Sequence, residues 1–242
     1  DWSSDVCSSD LKDLKFAGSQ TIGEGEYAGI SSSGSLKIEG NISCTDLSCS
    51  GSCKSSGAID CSGDVKVSGS FHSDGVLEAQ TLHCSGSTAL GAFDGNDMKI
   101  SGNFSSQGPV KAGLMDVSGS IAAEAIEADH LKCSGAIAVS GQINADDIDI
   151  LIPPVTGSRA DSIVGGHILI RPSWEKKLFN LTGTRLNTSL IEGDDIEIDC
   201  VNAGTVRGAR IKIGKKCKID RLEYSESITV APGADVAKTV KL

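Results

Sequence analysis

Large rings are scarce in this chain of 242 residues: two Trp, two Tyr and five Phe make up 4% of it. Helical bundles and α/β enzymes lean on large side chains and on Ala, Leu and Glu, so this shortage argues against either. Long apolar runs are missing as well. None approaches the ~20 residues that a membrane-spanning helix needs. What is abundant is glycine, 29 residues, together with Ser, Ile, Val, Ala and Cys. A hydrophobic fraction of 39% suffices for a core. The Gly and Ser surplus does not mark disorder, because apolar residues recur throughout at short, even intervals.

Residues 1–11, DWSSDVCSSDL, resemble the conceptual translation of a short-read sequencing adapter and are expected to be a non-native, disordered leader. Setting them aside changes the formal charge from -10 to -7, because Asp1, Asp5 and Asp10 go, and leaves eight of nine cysteines.

The remaining chain repeats. Ser-Gly recurs at Ser33-Gly34, Ser50-Gly51, Ser68-Gly69, Ser85-Gly86, Ser101-Gly102, Ser118-Gly119 and Ser134-Gly135, with spacings of 17, 18, 17, 16, 17 and 16. Before each comes a pair of apolar or small residues separated by one polar residue, and the pairs continue beyond the Ser-Gly region. They run from Ile30/Ser32 and Leu47/Cys49 through Met98/Ile100 to Ile211/Ile213 and Ile228/Val230, twelve in all. The i, i+2 spacing is that of a short strand with one face buried.

Two further short strands fit within each repeat. One carries Leu36, Cys53, Phe71, Thr88, Phe104, Ile121 or Ile137; the other carries a small residue, Cys44, Cys61, Ala79, Gly95, Ala112, Ala128 or Ala145. Three strands per circuit describe an all-β, single-domain parallel β-helix over residues 12–242, with about 12 coils of 15–18 residues. Glycine is expected to supply positive φ at the corners. Two spacings are longer, 20 residues around Pro153-Pro154 and 28 between Ile168 and Ile196. The second leaves an excursion at 171–186.

Several apparent motifs dissolve into this register. Cys44, Cys49, Cys53 and Cys61 resemble a loose zinc cluster, yet they occupy repeat columns and read as core packing. Thiols without a disulfide framework favour a reducing cytoplasm. Gly23-Glu-Gly25 resembles a dinucleotide fingerprint but no helix follows it. His72, His83, His130 and His167 are read as surface residues in different columns, without a shared carboxylate column. Asp146, Asp147, Asp149, Asp194, Asp195, Glu197 and Asp199 alternate with buried Ile and form an outward row, either a solvated face or a site for Ca²⁺ or polysaccharide. No catalytic residue, cofactor or metal site is expected, and neither nucleic acid nor a small-molecule substrate.

Two features stand apart. Residues 12–150 carry 8 basic and 18 acidic side chains, and residues 151–242 carry 14 and 11, so the rod has unlike ends. Arg207, Arg210, Lys212, Lys215, Lys216 and Lys218 form a basic patch near the C-terminal coils. The excursion holds Trp174, Lys176, Lys177, Leu178, Phe179 and Leu181, with Trp174, Leu178 and Leu181 at helical spacing. It suits either contact with a membrane surface or partner, or folding back over its own coil.

The residues Val206-Arg207-Gly208, Ile213-Gly214 with Cys217-Lys218-Ile219, and a Glu223-Tyr224-Ser225 turn resemble the C-terminal half of bactofilin-like, polymer-forming cytoskeletal proteins of Firmicutes. The Ser-Gly coils resemble the same proteins, so the likeness covers nearly all of residues 12–242. It implies a right-handed β-helix that assembles end to end into nucleotide-independent filaments. It also implies a cytoplasmic scaffold for cell shape, envelope synthesis or motility, with itself as partner and a place near the inner face of the membrane. The chain departs from the family in being longer than its compact core and in carrying the excursion. End coils with unpaired backbone groups suit such assembly. Ile22 and Ile30 at one end and Ile228, Val230, Val236 and Val240 at the other are the expected contacts. A hexapeptide-repeat acyltransferase, a polysaccharide-active β-helix enzyme and a surface adhesin remain as alternatives.

Overall fold

A computed structural model describes residues 12–154, 156–173 and 185–242. Among these residues there is no helix, and every strand pairs with its neighbours in parallel. The chain winds as a β-solenoid of about 13 turns. One more rung is present than the twelve pairs read from the sequence, because Leu14 and Phe16 stack on Ile30 and Ser32.

Each turn has three faces. In one turn Leu47 and Cys49 point inward from the first face, Cys53 and Ser55 from the second, and Ile59 and Cys61 from the third; Val65 and Val67 then open the next turn. Two inward residues per face follow from the period of two. The corners are tight enough that Ser70–Cys84 runs through all three faces without losing strand geometry. The core is consequently a stack of thin layers, with Phe71, Phe93 and Phe104 among its few large side chains.

The narrow interior explains the small-residue column. A Cβ on Gly165, Gly193 or Gly208 would meet the Cδ1 of Ile148, Ile168 or Ile196 at 3.2, 3.1 and 3.0 Å. The isoleucine that opens the first face already fills that corner. The nearer limit is the stacked backbone, since the same Cβ would fall well inside 3.0 Å of Ala145 O, Gly165 O or Gly193 O in the preceding coil, and the isoleucine adds a second limit.

The Ser-Gly corners do not need positive φ, contrary to the sequence expectation. Among described glycines only Gly25, Gly40 and Gly233 have it. Their requirement is close stacking. A Cβ on Gly51, Gly69, Gly86, Gly102, Gly119 or Gly135 would fall well inside 3.0 Å of the carbonyl oxygen of the equivalent glycine one coil earlier. That same oxygen accepts the N–H of the residue after the next glycine, at 3.0 Å for Ser52 on Gly34 and for Asn103 on Gly86. The serine contributes too: Ser101 donates its N–H to Cys84 O at 2.8 Å and its hydroxyl to the same oxygen at 3.4 Å.

The two long turns fall where the spacing places them. After Pro153-Pro154 the second face resumes at Ser158–Arg159. Of the excursion expected at 171–186, residues 171–172 lie in the strand Ser162–Pro172 and Leu186 begins the next strand and pairs with Val201, while 174–184 lie outside the described residues. The excursion leaves from the corner that Ser-Gly occupies elsewhere. Near the C-terminus this corner changes chemistry, with Cys200 and Lys216 both at φ 59°. Glu223-Tyr224-Ser225 is likewise no turn. It lies inside Lys218–Val230, beside a bulge where Gly208 pairs Tyr224 but Arg210 pairs Ser227.

Candidate functional site

On the first face, an outward residue precedes each of the two inward ones, and stacking aligns these into two columns along the rod. The first reads Asp97, Leu114, His130, Asp147, His167, Asp195, Arg210, Ser227. The second reads Lys99, Asp116, Lys132, Asp149, Leu169, Glu197, Lys212, Thr229. Together they wall a groove of about 830 Å³ that runs over eight coils. Leu114, 52% exposed, is an uncovered apolar side chain in it.

Two histidines and two carboxylates thus share one column, which corrects the expectation that the histidines are scattered. His130 Nδ1 lies 2.8 Å from Asp147 Oδ2, and His167 Nδ1 lies 3.3 Å from Asp195 Oδ2. The signal was present in the order His130, Asp147, His167, Asp195 once the 20-residue coil is counted as one rung. His83 stands in the second column between Lys66 and Lys99, and His72, on the second face, pairs with Asp74 at 2.8 Å.

Charges in the groove neutralise one another from coil to coil. Arg210 grips Asp195 with Nε at 2.5 Å and Nη2 at 2.6 Å, and reaches Glu226 with Nη1 at 2.8 Å. Lys212 lies 3.4 Å from Glu197, and Arg171 3.1 Å from Asp149. The Arg210 guanidinium holds the Asp195 carboxyl below the usual carboxylate range, and the carboxylates raise Arg210 in return. General acid catalysis on a sugar needs the opposite, a carboxyl pushed up by its surroundings.

The expected basic patch is divided in the same way. Arg207 pairs with Glu223 at 2.7 Å and Glu192 at 3.8 Å, while Arg210 and Lys212 belong to the groove. Lys215 and Lys216 sit at a corner before the second face, and Lys218 begins the next strand. The six cations therefore ring the rod instead of forming one surface. Glu223 is nearly fully buried, and Arg207 with Arg221, which donates to it at 2.6 Å, lowers its carboxyl.

The eight cysteines of the coils are free and buried. Cys44 stacks in register on Cys61. Burial pushes the thiols of Cys84 and Cys217 up to about 11 and that of Cys133 up to about 12. A hydrogen bond between Cys49 and Cys53 lowers the first and raises the second, and one between Cys44 and Cys61 lowers Cys61 and raises Cys44. Among the described residues no group of three or more His, Cys, Asp or Glu is arranged to hold a metal ion.

The end coils differ from each other. Ile22 is buried, and Ile30 lies one coil inside, covered by Leu14, so Leu14 and Phe16 replace Ile30 as first-rung residues. At the other end Ile228, Val236 and Val240 are half-buried, while Val230 is 43% and Leu242 65% exposed. Among the described residues Asp235–Lys241 pairs on one side alone, with 218–224, and 227–230 pairs on one side alone, with 210–213. Trp174, Lys176, Lys177, Leu178, Phe179 and Leu181, and the leader 1–11, lie outside the described residues. Among those described, no helix is long and apolar enough to cross a membrane.

No family model and no solved structure matches the chain. It is similar to the uncharacterized protein YhbE of Bacillus subtilis (strain 168), with 46% identity over 57 residues. That match spans 24% of this chain and 24% of YhbE, so the likeness covers about a quarter of each.

Proposed function

We propose that this chain is a non-enzymatic structural scaffold that assembles end to end into cytoskeletal filaments serving cell shape, envelope synthesis or motility. The observation that carries this is the last described coil: among the described residues it is a parallel edge paired on one side, with Val230 and Leu242 exposed beside it. Such an edge is a template for another chain. Stacking it on the first coils of a second copy is a heterologous contact, which propagates as a filament when it does not close. The resemblance of residues 206–225 to bactofilin-like proteins supports the same assignment. Unlike charge on the two halves of the rod favours head-to-tail docking, and added salt then slows it.

Its principal partner is itself, with a membrane surface or envelope and motility proteins as further contacts, and it uses no cofactor, nucleic acid or small substrate. Buried free thiols support a reducing cytoplasm as its location. Electron microscopy and pelleting of the full chain test the proposal. Filaments are expected, and their loss is expected when Val230→Lys and Leu242→Lys charge the edge. Discrete particles at high concentration would overturn it.

A further inference from the structure

We propose that the charged first face is a lateral interface on which a second copy of this chain docks antiparallel. The two-fold axis runs along the strand direction, between the coil of 147–149 and the coil of 167–169. This pairing is separate from end-to-end stacking, and it follows from the order of charges along the groove.

An axis in that direction reverses the rod but keeps each column facing itself. In the first column His130 then faces Asp195 of the second copy, and Asp147 faces its His167. In the second column Asp116 faces Lys212, and Lys132 faces Glu197. Lys99 meets Thr229, Asp149 meets Leu169, Asp97 meets Ser227, and the exposed Leu114 lies against the stem of Arg210. No like charges meet directly over all eight coils.

Neighbouring arrangements fail. A slide of one coil puts Lys132 opposite Lys212 and Asp149 opposite Glu197. A slide the other way puts Lys99 opposite Lys212 and Asp116 opposite Glu197. Turning the second copy parallel, about the rod axis, sets column against column and brings Arg210 to Lys212, Asp195 to Glu197 and Asp147 to Asp149. Like-charge juxtaposition is how interfaces reject wrong registers. The His130–Asp147 contact and the Arg210–Asp195 and Lys212–Glu197 ion pairs within each chain hold the side chains in place for the correct one.

Seven coil spacings of ~4.8 Å make the face about 34 Å long, and with a width of about 12 Å each copy covers roughly 400 Å². This is the size of a weak interface, so single rods pair at tens of micromolar or above, whereas coaxial rods would pair through many faces at once.

The test uses the full chain carrying Val230→Lys and Leu242→Lys, so that end stacking is removed and the two proposals fail separately. Sedimentation equilibrium at about 0.1 M salt, where the screening length is ~10 Å, is expected to show a monomer–dimer equilibrium. Asp116→Lys and Lys212→Asp should each weaken the dimer about tenfold, since each reverses two exposed charge pairs per dimer. The double variant should regain wild-type association. Residues 116 and 212 are five coils, about 24 Å, apart in one chain, so recovery reports contact between chains. Both are exposed, which keeps the fold out of the comparison. A strict monomer at several hundred micromolar (~0.5 mM), unchanged single variants, or a double variant no better than either single would overturn the proposal.

Discussion

Replacing Gly102 by Ala adds one methyl group at a corner where the backbone conformation is open to any residue. Its Cβ would fall well inside 3.0 Å of Gly86 O, a backbone atom fixed by accepting the Asn103 N–H at 3.0 Å. Relief therefore requires the two coils to part. Overpacking of this kind costs about 1–3 kcal/mol, and losing the hydrogen bond adds about 0.5–1.5 kcal/mol. The alanine returns about 0.4–1 kcal/mol by restricting the unfolded chain. The net loss is about 2–3 kcal/mol, or roughly 5–10 °C in melting temperature for a chain of this size. Gly18→Ala is the control: Gly18 occupies the equivalent corner of the first rung, its carbonyl accepts Ser35 N–H at 3.1 Å, and nothing described lies within 4 Å of an added Cβ. Thermal and urea unfolding of both variants should show a large effect at 102 and none beyond about 0.5 kcal/mol at 18. Equal destabilisation of the two would refute stacking as the reason for the glycines and return the cause to local conformation.

Acid should loosen the C-terminal coils. Glu223 has a folded pKa below its unfolded value, so its stabilisation is complete above about pH 4.3 and is lost as pH falls through the folded value; Glu223→Gln should flatten the melting profile below about pH 4. A thiol reagent should leave the native coils unmodified over minutes in a Cys7→Ser background, and react with all eight cysteines in urea. Lys216→Gly should raise stability by about 0.5–1 kcal/mol, measured by urea unfolding, because it removes the cost of a side chain at φ 59°.

The solenoid was legible because inward residues at i, i+2 recur with the coil, a signal that survives without long-range information. Cys44 and Cys61 could be placed in the core for the same reason. The first rung escaped because Ala17-Gly18 stands where Ser-Gly stands later. Outward columns were harder to read. His130 and His167 are 37 residues apart, which is two coils when one of them has 20 residues, and an outward position tolerates any polar residue. The role of glycine was misread because a close contact between coils leaves the same residue as a left-handed turn. Only stacked backbones separate the two.

The corner glycines meet one another through backbone atoms alone, so each junction is indifferent to which two coils it joins. A gene encoding such a chain can gain or lose a whole coil without a new contact being needed at this corner, while the side chains inside and outside the rod are matched afresh. Length then becomes a heritable quantity that changes in increments of about 4.8 Å.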